Sequence, residues 1–122
     1  MIPTVEDLER AHGWLSRRFA RPSTLHPAGA RNALAMARDL APTPAEEPAA
    51  VFYALVRHVR ALGALGRVLP VVFAVNLTRA QGLALSATED DLVALFLPIR
   101  AQTMSYDEVR AWFAARTRPA GG

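Results

Sequence analysis

Cysteine is absent from this chain of 122 residues, which therefore has no disulfide framework, no thiol nucleophile and no thiolate metal ligand. Lysine is absent as well. All 14 basic residues are arginine, which excludes Schiff-base chemistry and a phosphate loop built on lysine. An uninterrupted apolar run long enough for a membrane span is also missing: between Arg67 and Glu89 only Arg79 is charged, but Pro70, Asn76, Gln81 and Gly82 break the stretch. It reads as a buried helix of a bundle. The opening MIPTVEDLER is acidic and amphipathic, whereas a secretory leader starts basic and continues apolar. These absences lead to the expectation of a cytoplasmic protein with no membrane partner.

What is present is a core-forming composition. With 52% hydrophobic and 20% charged residues the chain has the balance of one folded domain over residues 1–122. The net charge of +3 and a pI near 10.5 favour anionic partners, although an alanine-rich, all-arginine composition reflects GC-rich coding before it reflects function.

Hydrophobic periodicity and capping signals divide the chain into about six helices. Thr4 with Asp7 opens the first, whose face Val5, Leu8, His12, Leu15 and Phe19 runs to about Phe19. Pro27 starts the second, which ends near Leu40; His26, just before it, sits in a turn where it caps. Residues 41–48, APTPAEEP, read as a proline-rich loop. A third helix is expected from Pro48 to Leu62, with Val51, Ala54, Leu55, His58 and Leu62 on one face. The segment VLPVVFAVNLTRAQG is expected to be the central buried helix. Thr88 with Asp91 and Ser105 with Glu108 cap two more, Pro98 kinking or ending the former, and residues 117–122 read as a frayed tail. With no second convincing strand, the fold class is all-α, a compact bundle around the buried helix.

Chemistry concentrates in one stretch. No acid occurs between Glu47 and Glu89, while Arg57, His58, Arg60, Arg67 and Arg79 all do, so the local field is positive. Gly63-Ala-Leu-Gly66-Arg67 precedes the expected central helix, where free amides, a helix dipole and a guanidinium converge on an anion. The alternative is a plain helix-helix turn with Arg67 in water. His58 is a candidate general base beside that loop, or a satisfied core histidine, and His12 carries the same ambiguity. No histidine pair has metal-ligand spacing, so no metal site is expected. Trp14, Trp112, Phe52, Phe73 and Phe113 read as core or interface anchors rather than a base-stacking platform.

The order of these segments resembles the Doc-type branch of the Fic/Doc proteins, small α-helical toxins and nucleotidyl or phosphoryl transferases. VEDLERAHGWLSRRF is similar to the family's opening helix, HPAGARNALAMARDL to its second, AAVFYALVRH to the helix leading into the active loop, and LPVVFAVNLTRAQGLAL to the helix after it. ATEDDLVALFLPIRAQTMSYDEVRAWFAAR resembles the closing pair. The family's loop reads His, any residue, Phe, any residue, Asp or Glu, Gly, Asn, Gly or Lys, Arg. Here the matching region is His58-Val-Arg-Ala-Leu-Gly-Ala-Leu-Gly-Arg67, one residue longer. The resemblance implies His58 as base on a target hydroxyl and Arg67 on phosphate. Arg60 replaces the phenylalanine, Leu62 or Gly63 the magnesium-holding carboxylate, and Ala64 or Leu65 the asparagine.

Without that carboxylate the implied ATP and magnesium chemistry loses its metal ligand, so the expectation is a pseudoenzyme that acts by binding in a toxin–antitoxin-like or regulatory setting. Its candidate anion site comprises Arg57, Arg60, Gly63, Gly66 and Arg67, with His58 the candidate catalytic residue, and its implied partner is a protein segment or target. Three alternatives stand beside it: an active transferase, an arginine-rich nucleic-acid-binding module and a helical dimer.

Overall fold

A computed structural model describes residues 1–120. Among them the chain forms α1 (Val5–Arg18), α2 (Pro27–Leu40), a 3-10 turn (Pro44–Glu46), α3 (Glu47–Arg57), a second 3-10 segment (Val59–Leu65), α4 (Leu69–Ala80), β1 (Leu83–Leu85), α5 (Glu89–Val93), α6 (Phe96–Arg100), α7 (Tyr106–Arg116) and β2 (Thr117–Pro119). The fold is an all-α bundle carrying one small antiparallel ribbon.

Three helices begin as their side chains dictate. The hydroxyls of Thr4, Thr88 and Ser105 accept the amides of Asp7, Asp91 and Glu108, and the carboxylates of these acids accept the cap residues' own amides in return. Each box satisfies two donors that the first turn leaves unpaired. Those hydrogen bonds also hold the Asp7 and Asp91 carboxyls below the usual aspartate range. His26 occupies the N-cap position of α2, but its side chain makes no capping bond.

The helix at the centre is α3, not α4. From Pro48 to Val56 every residue of α3 except Tyr53 is buried, and its two flanks feed two clusters. Val51, Ala54 and Leu55 pack with Leu8 and Leu15 of α1, Ala30, Leu34 and Ala37 of α2, and Leu62 and Leu69. Phe52 and Val56 pack with Ala74, Leu92, Phe96, Ile99, Val109 and Phe113. In α4 only Leu69, Pro70, Ala74 and Thr78 are buried, so its β-branched run is half-covered. The VLPVVFAVN pattern misled because apolar residues on all sides do not say how much of a helix its neighbours cover.

Other boundaries shift for identifiable reasons. α3 stops at Arg57 and the chain tightens into the 3-10 segment, ending the expected helix short of Leu62. Between Thr88 and Arg100 one expected helix is two: Pro98 has no amide to give the Ala94 carbonyl and its ring crowds that oxygen, so the helix breaks at Ala94 and Leu95. Residues 41–48 are not wholly loop, since Pro44–Glu46 makes a 3-10 turn and Glu47 and Pro48 already belong to α3. The expected frayed tail is corrected as well: Thr117, Arg118 and Pro119 pair with Leu85, Ala84 and Leu83, forming a ribbon where no strand was expected. Gly121 and Gly122 of that tail lie outside the described residues. No single described helix is long and apolar enough to cross a membrane.

Candidate anion-binding face

The residues singled out by sequence line two adjoining pockets at the end of α3. Gly29, Arg57, His58, Val59, Arg60, Ala61, Arg100 and Gln102 surround one of about 430 Å³. Gly63, Gly66, Arg67, Val93, Phe96, Leu97 and Ala101 are among the walls of the other, of about 700 Å³. The two share Val59 and Arg100, so their rims meet. No aspartate or glutamate lines either pocket.

Sequence reasoning missed Arg100 and Gln102. Both follow from the break at Pro98: the short α6 ends at Arg100, and Gln102 takes a left-handed φ of 60° just beyond it. Arg100 is far from His58 in the chain, and only the packing of α6 on α3 returns it to that end of the bundle. No periodicity in the sequence carries that information.

The arginines here have no carboxylate partners. Among the described residues the side-chain ion pairs of arginine involve Arg10 and Arg110, and none involves Arg57, Arg60, Arg67 or Arg100. Arg57 is half-buried and held by Tyr53, whose hydroxyl accepts from Nη1 at 3.1 Å and whose ring lies 5.9 Å from the guanidinium carbon. Arg60, Arg67 and Arg100 are exposed. Clustered guanidinium groups with no counter-charge attract and fork-bond an anion more strongly than paired ones, because no carboxylate competes.

His58 sits at the C-cap of α3, off the helical conformation (φ −111°, ψ 31°) and half-buried rather than on the core face. Its Nδ1 lies 3.0 Å from the Ala54 carbonyl oxygen, which can only accept. Nδ1 therefore carries the proton, and in the neutral ring Nε2 is the nitrogen left to accept one. That is the tautomer a base would need.

The glycine loop differs from expectation in one respect. Its amides are not gathered on an anion: Ala64 N–H donates to Ser23 Oγ at 3.0 Å, Gly66 N–H to the Gly63 carbonyl at 3.2 Å and Val68 N–H to the Leu65 carbonyl at 3.0 Å, while Pro70 has none. These three amides are thus engaged within the protein. Gly63 is needed for shape, with a φ of 63° and a position where a Cβ would stand 2.4 Å from the Thr24 carbonyl oxygen.

The donor set does not fit magnesium. A hard divalent cation takes oxygen ligands, carboxylates foremost, and the side chains of these walls offer guanidinium groups, an imidazole and the single amide of Gln102, but no carboxylate. Among the described residues no three of His, Asp or Glu gather as a metal site. His12, the other ambiguous histidine, lies away from these walls. It is 7% exposed, with Nε2 2.8 Å from Ser23 Oγ, and is a satisfied core residue. Of the aromatics, Phe52 and Phe113 are core, Phe73 and Trp112 are half-buried, and Trp14 is exposed.

Compared with known proteins, the chain matches no protein-family model, no curated protein and no solved structure.

Proposed function

We propose that this chain is a Fic/Doc-like pseudoenzyme, a helical domain that binds a phosphate-bearing anion without transferring from it and acts through a protein partner in a toxin–antitoxin-like or regulatory setting. One observation carries the binding part: Arg57, His58, Arg60, Arg67 and Arg100 line two adjoining pockets from which carboxylates are absent. Phosphoryl or nucleotidyl transfer depends on a metal to gather the polyphosphate and neutralise developing charge, and these walls supply no carboxylate to hold one. Arginines neutralise phosphate oxygens, yet they do not order a leaving pyrophosphate as an octahedral cation does. Binding without turnover is the consequence.

The test is calorimetric titration with ATP, with and without magnesium, on the wild-type protein and on Arg67→Ala and Arg100→Ala. The expected result is metal-independent binding that weakens in both variants. Absence of both heat and thermal shift would sink the anion reading and leave a scaffold. Magnesium-dependent binding, with transfer to a protein hydroxyl that is lost in His58→Ala, would establish the active transferase instead.

A further inference from the structure

The two pockets differ in character, and the difference describes a ligand. The smaller is ringed by Arg57, His58, Arg60, Arg100 and Gln102. The larger has an apolar side made of Val59, Val93, Phe96 and Leu97, with Arg67 and Arg100 among its other walls. Leu97 is 77% exposed, a large aliphatic side chain held in water beside Arg100, and it continues the surface begun by half-buried Val59 and Val93. Both volumes lie within the range of small-molecule sites, about 300–1,000 Å³, and Val59 and Arg100 line both.

We infer that the joined pockets take an amphiphilic phosphate monoester, its anionic head among Arg57, Arg60 and Arg100 and its hydrocarbon body along Val59, Val93, Phe96 and Leu97. The inference rests on the anion reading above and adds the second half of the ligand. A bare phosphate or sulfate satisfies only the smaller pocket and leaves the apolar wall wet. An apolar ligand without charge leaves these guanidinium groups without an anion. A ligand with both parts buries the wall and engages the arginines at once, and because the surfaces are concave a single molecule fits them better than a flat lipid sheet does.

Octyl phosphate, kept monomeric, is the probe, with inorganic phosphate and ATP as comparators, titrated into the wild-type protein, Leu97→Ser and Arg100→Ala. Leu97 is exposed, so its substitution leaves the core intact, which far-ultraviolet dichroism and thermal melting verify. Octyl phosphate is expected to bind about tenfold or more tighter than inorganic phosphate, the gain arising from its buried methylenes. Leu97→Ser should cut that advantage to about threefold or less, and Arg100→Ala should weaken both ligands.

Equal affinity for the two phosphates, or an advantage unchanged in Leu97→Ser, overturns the inference while leaving the anion site standing. Failure of phosphate, ATP and octyl phosphate alike overturns both readings. Co-sedimentation with phosphatidate-containing vesicles separates the two sources of this chemistry: adsorption to vesicles without binding of the monomeric ester would overturn the pocket in favour of a membrane surface.

Discussion

Ser23 Oγ lies 2.8 Å from His12 Nε2 and joins the first helix to the glycine loop, because the same oxygen accepts the Ala64 amide at 3.0 Å. With one lone pair engaged by Ala64, the hydroxyl proton is free to donate to a neutral His12 ring. Protonating the ring would force Ser23 to accept twice and would place a charge in a largely dry site. Burial accordingly pulls the His12 pKa below the usual histidine value.

The sign of the pH effect follows. The unfolded chain binds the His12 proton near the ordinary histidine value of 6.5 while the folded chain resists it, so the stabilisation is fully present above that pH. It declines as pH falls from there toward the lower folded pKa. Chemical denaturation from neutral to mildly acidic pH should show this loss, and His12→Gln should remove that part of the slope. An unaltered slope in the variant would reassign it to other groups.

Gly63 provides a second, conformational test of the same junction. At φ 63° and ψ −144° the backbone lies near a region that essentially only glycine adopts, at a cost of roughly 1–3 kcal/mol to an L-residue, and the Cβ would also meet the Thr24 carbonyl oxygen at 2.4 Å and Ser23 Oγ at 2.6 Å. Gly63→Ala should therefore destabilise by at least that backbone cost in urea unfolding and loosen the loop bearing Arg67. A neutral substitution would mean that the loop relaxes freely and that its shape is not fixed by the contact with residues 23 and 24.

How much of this was legible in the sequence depended on range. Thr4, Thr88 and Ser105 announced their helices because a cap and its acid lie three residues apart and interact within one turn. His58, Arg57, Arg60, Gly63, Gly66 and Arg67 were legible as a positive, acid-free stretch, and they line neighbouring pockets. The membership of Arg100 was not legible, since it depends on a helix break at Pro98 and on α6 packing against α3. The ribbon was hidden for a similar reason: Leu83–Leu85 and Thr117–Pro119 are three-residue strands whose partners come from opposite ends of a helical segment. Nor does amphipathicity say which of two apolar helices has neighbours on both flanks. α3 packs against α2, α4, α6 and α7, whereas α4 packs chiefly on α3 and β1.

Tyr106 offers a spectroscopic test of the far side of α3. Burial, then the negative charge of Glu46 and the hydrogen bond to its Oε1 at 3.4 Å, push the phenol up to about 12. The neutral phenol belongs to the folded state, so its stabilisation is complete below the ordinary value of 10.0 and is lost as pH rises through about 12. Ultraviolet difference titration should find Tyr106 ionising late, and Glu46→Gln should bring it earlier by removing the charge. A wild-type Tyr106 that titrates normally would contradict the packing of α7 on the start of α3.

Phe52 tests the claim that α3 is the central helix. Its ring is fully buried, 5.8 Å from the Phe96 ring in an edge-on arrangement and 5.5 Å from Phe113, so one side chain joins α3 to α6 and α7. Phe52→Ala removes the transfer energy of the ring and leaves a cavity between three elements that cannot all close on it, a cost of about 3–5 kcal/mol. For a domain of this size that is a large share of a total of about 5–15 kcal/mol. Val75→Ala on half-buried α4 deletes less apolar area from a site open to solvent and should cost about 1 kcal/mol or less. Denaturation midpoints of the two variants decide the matter: a larger loss at Val75 than at Phe52 would return the centre of the bundle to α4.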